Sequence, residues 1–110
     1  MKSLVRRERA DLDVQDAVDY YVQNAHECAL LFINALERAF RHIQRQPGMG
    51  SPRYAHELNL PGLRFWSCKR FPYLVFYFES KEQIDVWRVL HGSRDIPVWL
   101  GDESIHVEKS

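Results

Sequence analysis

Residues 63–99 read LRFWSCKRFPYLVFYFESKEQIDVWRVLHGSRDIPVW, and no other part of the chain limits the choice of fold as strongly. Three short runs rich in aromatic and β-branched side chains are separated by Arg70-Phe71-Pro72 and by Ser80-Lys81-Glu82. The pattern predicts three consecutive antiparallel strands at about Leu63–Ser67, Tyr73–Glu79 and Gln83–Leu90, because such side chains fit a pleated surface and the intervening residues favour turns. The block ends in His91-Gly92-Ser93-Arg94-Asp95, so the last strand leaves the sheet at a glycine with a histidine and an arginine at its edge. The apolar run through the middle strand implies that it is covered on both faces.

Upstream, the period changes from two to between three and four. Ser3-Leu4-Val5-Arg6 reads as a first strand. Asp11 or Asp13 then offers an N-cap to a helix whose apolar stripe is Val14, Ala17, Val18 and Tyr21, ending near Asn24 or Ala25. Of Tyr20 and Tyr21, one must point away from the core. A longer helix opens at Glu27 and repeats Ala29, Phe32, Ile33, Leu36, Phe40 and Ile43 on one face, with Asn34, Glu37, Arg38 and Arg41 outward. Pro47-Gly48-Met49-Gly50-Ser51-Pro52 stops it, and a surface linker carrying Arg53, His56 and Glu57 runs to Pro61-Gly62. The expected architecture is α+β, with an N-terminal strand, a helical hairpin and three antiparallel strands forming a small sheet that buries both helical stripes.

With 110 residues the chain suits one domain, residues 1–110, whose last stretch, about 102–110, reads as a polar tail. No apolar stretch approaches the roughly 20 residues of a membrane span, and the basic N-terminus lacks an apolar segment behind it, so a cytoplasmic protein without a membrane partner is expected. Cys28 and Cys68 have no metal-ligand spacing and read as reduced thiols. Lysine plus arginine equals aspartate plus glutamate at 15 each, but the distribution is uneven. Between Glu37 and Pro72 seven bases (Arg38, Arg41, Arg45, Arg53, Arg64, Lys69, Arg70) face two acids, whereas Glu79 to Ser110 holds seven acids and four bases. A positive middle suits a nucleic acid or an acidic protein; a solvated basic face is the plainer explanation.

The order strand, two helices, three strands carries several short motifs. These are Pro47-x-x-Gly50-x-x-Arg53, Pro61-Gly62-Leu63-Arg64, Phe71-Pro72-Tyr73-Leu74-Val75-Phe76-Tyr77 and Arg88-Val89-Leu90-His91-Gly92-x-Arg94-Asp95. Together they resemble the ParE branch of the RelE/ParE toxin superfamily of bacterial type II toxin–antitoxin modules, from about Leu4 to Leu100. The resemblance implies a small toxin neutralised by a cognate antitoxin whose disordered segment folds against it, with room for a higher toxin–antitoxin oligomer. ParE-like members act on DNA gyrase by trapping its DNA-cleaved complex, binding rather than catalysing, with no metal or organic cofactor.

RelE-like members are instead ribosome-dependent endoribonucleases that cut mRNA. Such chemistry needs a base for the 2′-hydroxyl, a donor for the departing oxygen and cations around the phosphate. Arg64, Lys69, Arg88, His91 and Arg94 are the parts this chain offers for that alternative. Against it, no tyrosine follows Tyr77, so the terminal His-Tyr pair of some ribosome-dependent members is missing. In the structural alternative His91 and Arg94 cap the sheet edge, Arg94 pairs with Asp95 or a carbonyl, and Arg64 and Arg88 serve packing. Candidates for target or antitoxin contact are Arg38, Arg41, Arg45, Arg53 and Arg94, with Trp66 and Trp99 as anchors. A third alternative is a non-toxic protein-binding module that retains the fold.

Overall fold

The computed structural model describes residues 1–94 and 96–100, so Asp95 and the expected tail at 102–110 lie outside the described residues. Strand β1 (Ser3–Arg6) leads into helices α1 (Glu8–Asn24) and α2 (His26–Arg45). A 3-10 turn over Pro47–Met49 and a short helix α3 (Arg53–Glu57) follow, then strands β2 (Arg64–Ser67), β3 (Tyr73–Glu79) and β4 (Gln83–His91). The sheet order is β1-β4-β3-β2. The three C-terminal strands are antiparallel as expected, and β1 joins β4 in parallel, from Ser3 opposite Gln83 to Arg6 opposite Val86. No helix among the described residues is long and apolar enough to cross a membrane.

Two apolar clusters lie on opposite faces of β3. Val75 and Tyr77 meet the hairpin through Phe32, Leu36 and Ile43 of α2 and Ala17 of α1. Phe76 turns the other way, toward Leu63, Leu90, Ile96 and Leu100. The middle strand is therefore buried on both faces, but its second cover is one the sequence pattern did not announce. Tyr54, Leu58 and Leu60 pack there, as does a helical turn over 96–100. The segment expected to be surface linker thus supplies apolar side chains to the second core. Of the adjacent tyrosines, Tyr21 packs on Phe32 and Phe71 with ring centroids 5.1 and 5.4 Å away, while Tyr20 is 57% exposed.

Neither Asp11 nor Asp13 caps α1. The helix starts earlier, at Glu8, with Arg7 at the N-cap and no side-chain cap bond. Both carboxylates are engaged elsewhere: Asp11 pairs with Arg6 at 2.9 Å, and Asp13 reaches into the sheet. Glu8 and Asp11 still place negative charge at the positive end of the helix dipole. Helix α2 begins at His26, one residue before the expected start, and ends at Arg45, where the proline-glycine segment takes over.

Gly50 is required by proximity rather than by backbone angle. Its φ of -67° suits any residue, but a Cβ there would collide with the hydroxyl of Tyr77. That hydroxyl donates to the Pro47 carbonyl at 2.6 Å, tying the segment after α2 to the middle strand.

Candidate functional site

The basic residues singled out in the sequence separate into distinct environments. Arg38, Arg41 and Arg45 project from one side of α2 because they are spaced by three and four residues. Across from them β2 presents Trp66 and Ser67, and Lys69 follows in the turn. Together these line a groove of about 540 Å³. All four cations are exposed and none has an ion-pair partner among the described residues, so the groove carries uncompensated positive charge. His42 forms part of its floor, its ring stacked on Trp66 with centroids 3.8 Å apart. The Nε2 atom of His42 is enclosed and has no hydrogen-bond partner among the described residues.

The groove also borders an open strand edge. Phe65 exchanges both backbone hydrogen bonds with Ser51, at 2.9 and 3.0 Å, on the side of β2 away from β3. Ser67, two residues further on, turns its N–H and C=O the same way, and among the described residues no strand lies beside it.

Arg53 lies apart on α3, with its guanidinium 5.2 Å from the centre of the Tyr54 ring. Arg64 is half-buried and donates to the Gly50 carbonyl at 2.7 Å, which holds the preceding loop against β2. Arg88 is 1% exposed, and its guanidinium grips Asp13 through two bonds of 2.8 and 2.9 Å. Asp13 also accepts the Val89 N–H at 3.0 Å. Strand β1 ends opposite Val86, so among the described residues the edge of β4 beyond that point has no strand beside it, and the Asp13 carboxylate of α1 takes the Val89 N–H there.

His91, Arg94 and Trp99 meet at the end of β4, where they line a cleft of about 660 Å³ with Tyr20, Tyr21, Pro72, Tyr73 and Ser93. The Arg94 guanidinium sits 4.4 Å from the centre of the Trp99 ring. The expected pairing of Arg94 with Asp95 lies outside the described residues. Ser93 donates its backbone N–H to His91 Nδ1 at 3.0 Å, so Gly92 and Ser93 fold the turn back onto the histidine. Of the five residues considered for mRNA cleavage, Arg88, His91 and Arg94 lie near Trp99, the Arg88 guanidinium 5.8 Å from the centre of its ring, but Arg64 and Lys69 do not join them. Arg64 faces Tyr77 across the β2–β3 ladder, whereas His91 faces Tyr73 on the other side of β3, four residues or about 13 Å along that strand.

Sequence reasoning passed over Tyr20, Tyr73 and His42 as site residues. Their signal is weak because aromatic residues at helix and strand positions ordinarily signify core, and only the tertiary arrangement shows which rings border a cavity. No group of three His, Cys, Asp or Glu side chains able to hold a metal ion occurs among the described residues.

Burial raises the Tyr21, Tyr73 and Tyr77 phenols above their ordinary value. It also pushes the Cys68 thiol up to about 11, against a smaller opposing effect of Arg38. Both cysteines are free, and Cys68 is buried while Cys28 is partly accessible. An alkylating reagent at pH 8 is therefore expected to modify Cys28 and spare Cys68, as read by peptide mass spectrometry; equal labelling of the two in folded protein would contradict it. The raised thiol also fixes a sign for stability. The Cys68 contribution is fully present below about pH 9, where the unfolded thiol ionises, and is lost as pH rises through about 11. The urea midpoint should accordingly fall more steeply over that window in the parent protein than in Cys68→Ala.

A family model described as the ParE toxin of the type II toxin–antitoxin system parDE matches residues 4–96. Among solved structures, a chain of the chromosomal ParDE TA system from P. aeruginosa is similar, with a TM-score of 0.69 and 23% identity over 83% of this chain and 96% of that one. At that identity the likeness speaks for the fold. No curated protein matches the chain. The family match spans most of the sequence and agrees with the observed order of one strand, a helical hairpin and three antiparallel strands, and on that ground the chain belongs to the ParE toxin family of type II toxin–antitoxin systems.

Proposed function

We propose that this protein arrests growth by binding DNA gyrase and trapping its DNA-cleaved complex, with no reaction catalysed by the toxin itself and no cofactor. Family membership supports the toxin role. The observation that carries the non-enzymatic reading is the dispersal of the groups a ribonuclease would need to bring together. Arg64 is tied to Gly50 and Lys69 lies in the α2 groove, both away from the cleft of His91 and Arg94, and Arg88, whose guanidinium is 5.8 Å from the Trp99 ring of that cleft, is buried in an ion pair with Asp13. Proton transfer to and from a scissile phosphodiester requires a base, an acid and cations that can all reach the reacting atoms of one bound phosphodiester.

The experiment is a pair of assays on the same purified toxin. Supercoiling by gyrase should be inhibited and linear, cleaved DNA should accumulate, while mRNA on ribosomes stays intact. Unchanged supercoiling at saturating toxin together with ribosome-stimulated cleavage would replace this reading with the ribonuclease one. His91→Ala should then alter gyrase inhibition only modestly, whereas a general base would lose about 100-fold or more of its rate.

The cognate antitoxin is proposed to occupy the outer surface of α2 and the groove beside it. Leu30 and Leu31 are 66% and 59% exposed on α2, which gives an amphipathic helix an apolar landing site. An extended acidic segment can then meet Arg38, Arg41, Arg45 and Lys69 and add its backbone to the open edge at Ser67. Ordering of such a segment on binding accords with a partner that is disordered when free.

A further inference from the structure

The outward faces of the two hairpin helices carry opposite charge. On α1, Glu8, Leu12, Asp16, Asp19 and Val22 recur at intervals of three and four residues, on the side away from the buried Ala10 and Ala17. All five are exposed, and none of the three acids has an ion-pair partner among the described residues. Gln15 donates to Asp19 at 3.0 Å but leaves its charge in place. On α2 the corresponding stripe, away from Phe32, Leu36 and Ile43, is Leu31, Arg38, Arg41 and Arg45. Although the helices are neighbours, no ion pair joins the two stripes among the described residues, because each points away from the contact between the helices.

The two stripes also match in register. Laid antiparallel, Glu8 meets Arg45, Asp16 meets Arg38 and Val22 meets Leu31, since steps of eight and six residues along α1 run beside steps of seven and seven along α2. A mismatch of one residue is only about 1.5 Å of helix. Leu12 then falls beside Arg41, whose aliphatic stem can cover it while the charged head stays wet. We infer that two copies of this chain pair hairpin to hairpin, the acidic stripe of α1 from each lying on Arg38, Arg41 and Arg45 of the other. An acidic peptide in the α2 groove would leave the α1 carboxylates unpaired, whereas a second copy pairs both stripes at once. The exchange is reciprocal, so the contact closes as a twofold dimer. Exposed ion pairs are individually weak, and the association is therefore modest and sensitive to salt. It covers the arginines proposed to receive the antitoxin, so self-association and neutralisation exclude each other. The contact itself rests on neither that reading nor the gyrase one.

The test is analytical ultracentrifugation of the full-length protein, free of antitoxin. In about 50 mM salt the parent should dimerise with a Kd of about 10–100 µM, and about 500 mM salt should weaken the dimer at least tenfold. Asp16→Lys with Asp19→Lys, and separately Arg38→Glu with Arg41→Glu, should each stay monomeric at about 200 µM, because like charges then face one another. An equimolar mixture of the two variants should regain the dimer, since each reversed α1 meets a reversed α2 in both contacts. These positions are exposed, so each variant should keep the circular dichroism of the parent, and a chain that had lost its fold could not be rescued by mixing. Arg53→Glu with Arg70→Glu, at exposed positions outside the stripes, matches the second variant in net charge and should leave the lysine variant monomeric. A parent that is monomeric at about 500 µM in low salt, or a dimer that about 500 mM salt leaves unchanged, would overturn the assignment. So would a dimer that survives either reversal, folded variants that stay monomeric when mixed, or pairing of the lysine variant with the Arg53 and Arg70 control.

Discussion

Arg88→Met is expected to cost the fold about 3–5 kcal/mol, a large share of the 5–15 kcal/mol that holds a typical domain together. The reason lies in what the substitution leaves behind. Arg88 is 1% exposed and its partner Asp13 has a side chain only 13% exposed, so removing the guanidinium strands a carboxylate beneath α1. Adding Asp13→Asn should recover much of the loss, because the amide is neutral and its oxygen still accepts the Val89 N–H. Asp13→Leu should recover less, since it orphans that N–H at a cost of about 1–3 kcal/mol. Urea unfolding of the single and double variants measures the coupling. A single variant within about 1 kcal/mol of the parent would show that the pair does not hold α1 to β4. Loss of toxicity in Arg88 variants should accordingly follow loss of fold, the opposite of what a solvent-facing catalytic cation would give.

Asp13 also marks where sequence reasoning stops. A short carboxylate just ahead of an apolar stripe has the form of an N-cap, and locally nothing distinguishes it from an ion-pair partner 75 residues away. The strands and the α2 stripe were legible because alternation and 3.6-residue periodicity are local consequences of burial on one face. The second cover of β3 was not, because Tyr54, Leu58 and Leu60 and the turn at 96–100 are too short to show a period. The parallel placement of β1 was equally hidden, since it depends on how a four-residue strand meets β4 after the hairpin has folded. For the site, residue type indicated where charge and aromatics are concentrated. It did not indicate that Arg38, Arg41 and Lys69 would share a groove while Arg88 turned inward. That sorting follows from strand facing and from Asp13, neither of which is a local property.

Reversing the charge of two groove residues, Arg38→Glu with Arg41→Glu, is expected to weaken antitoxin binding by about 2–3 kcal/mol, or about 30- to 150-fold. Each exposed pair contributes only about 0.2–1 kcal/mol by itself, so most of this loss comes from repulsion between the new carboxylates and the acidic segment proposed to lie there. Arg45 is left in place because it sits in the last turn of α2, where a positive charge complements the helix dipole and a glutamate would destabilise the helix itself. The other two side chains are exposed and unpaired among the described residues, so the melting temperature should be nearly unchanged. Affinity of the parent complex should fall as salt rises, and that dependence should flatten or change sign in the variant. In cells the double variant should arrest growth even with antitoxin co-expressed, provided the groove serves neutralisation and the gyrase surface lies elsewhere. An unaltered antitoxin Kd and salt dependence would remove the groove from the antitoxin interface. Normal antitoxin affinity with lost gyrase inhibition would instead assign these arginines to the target.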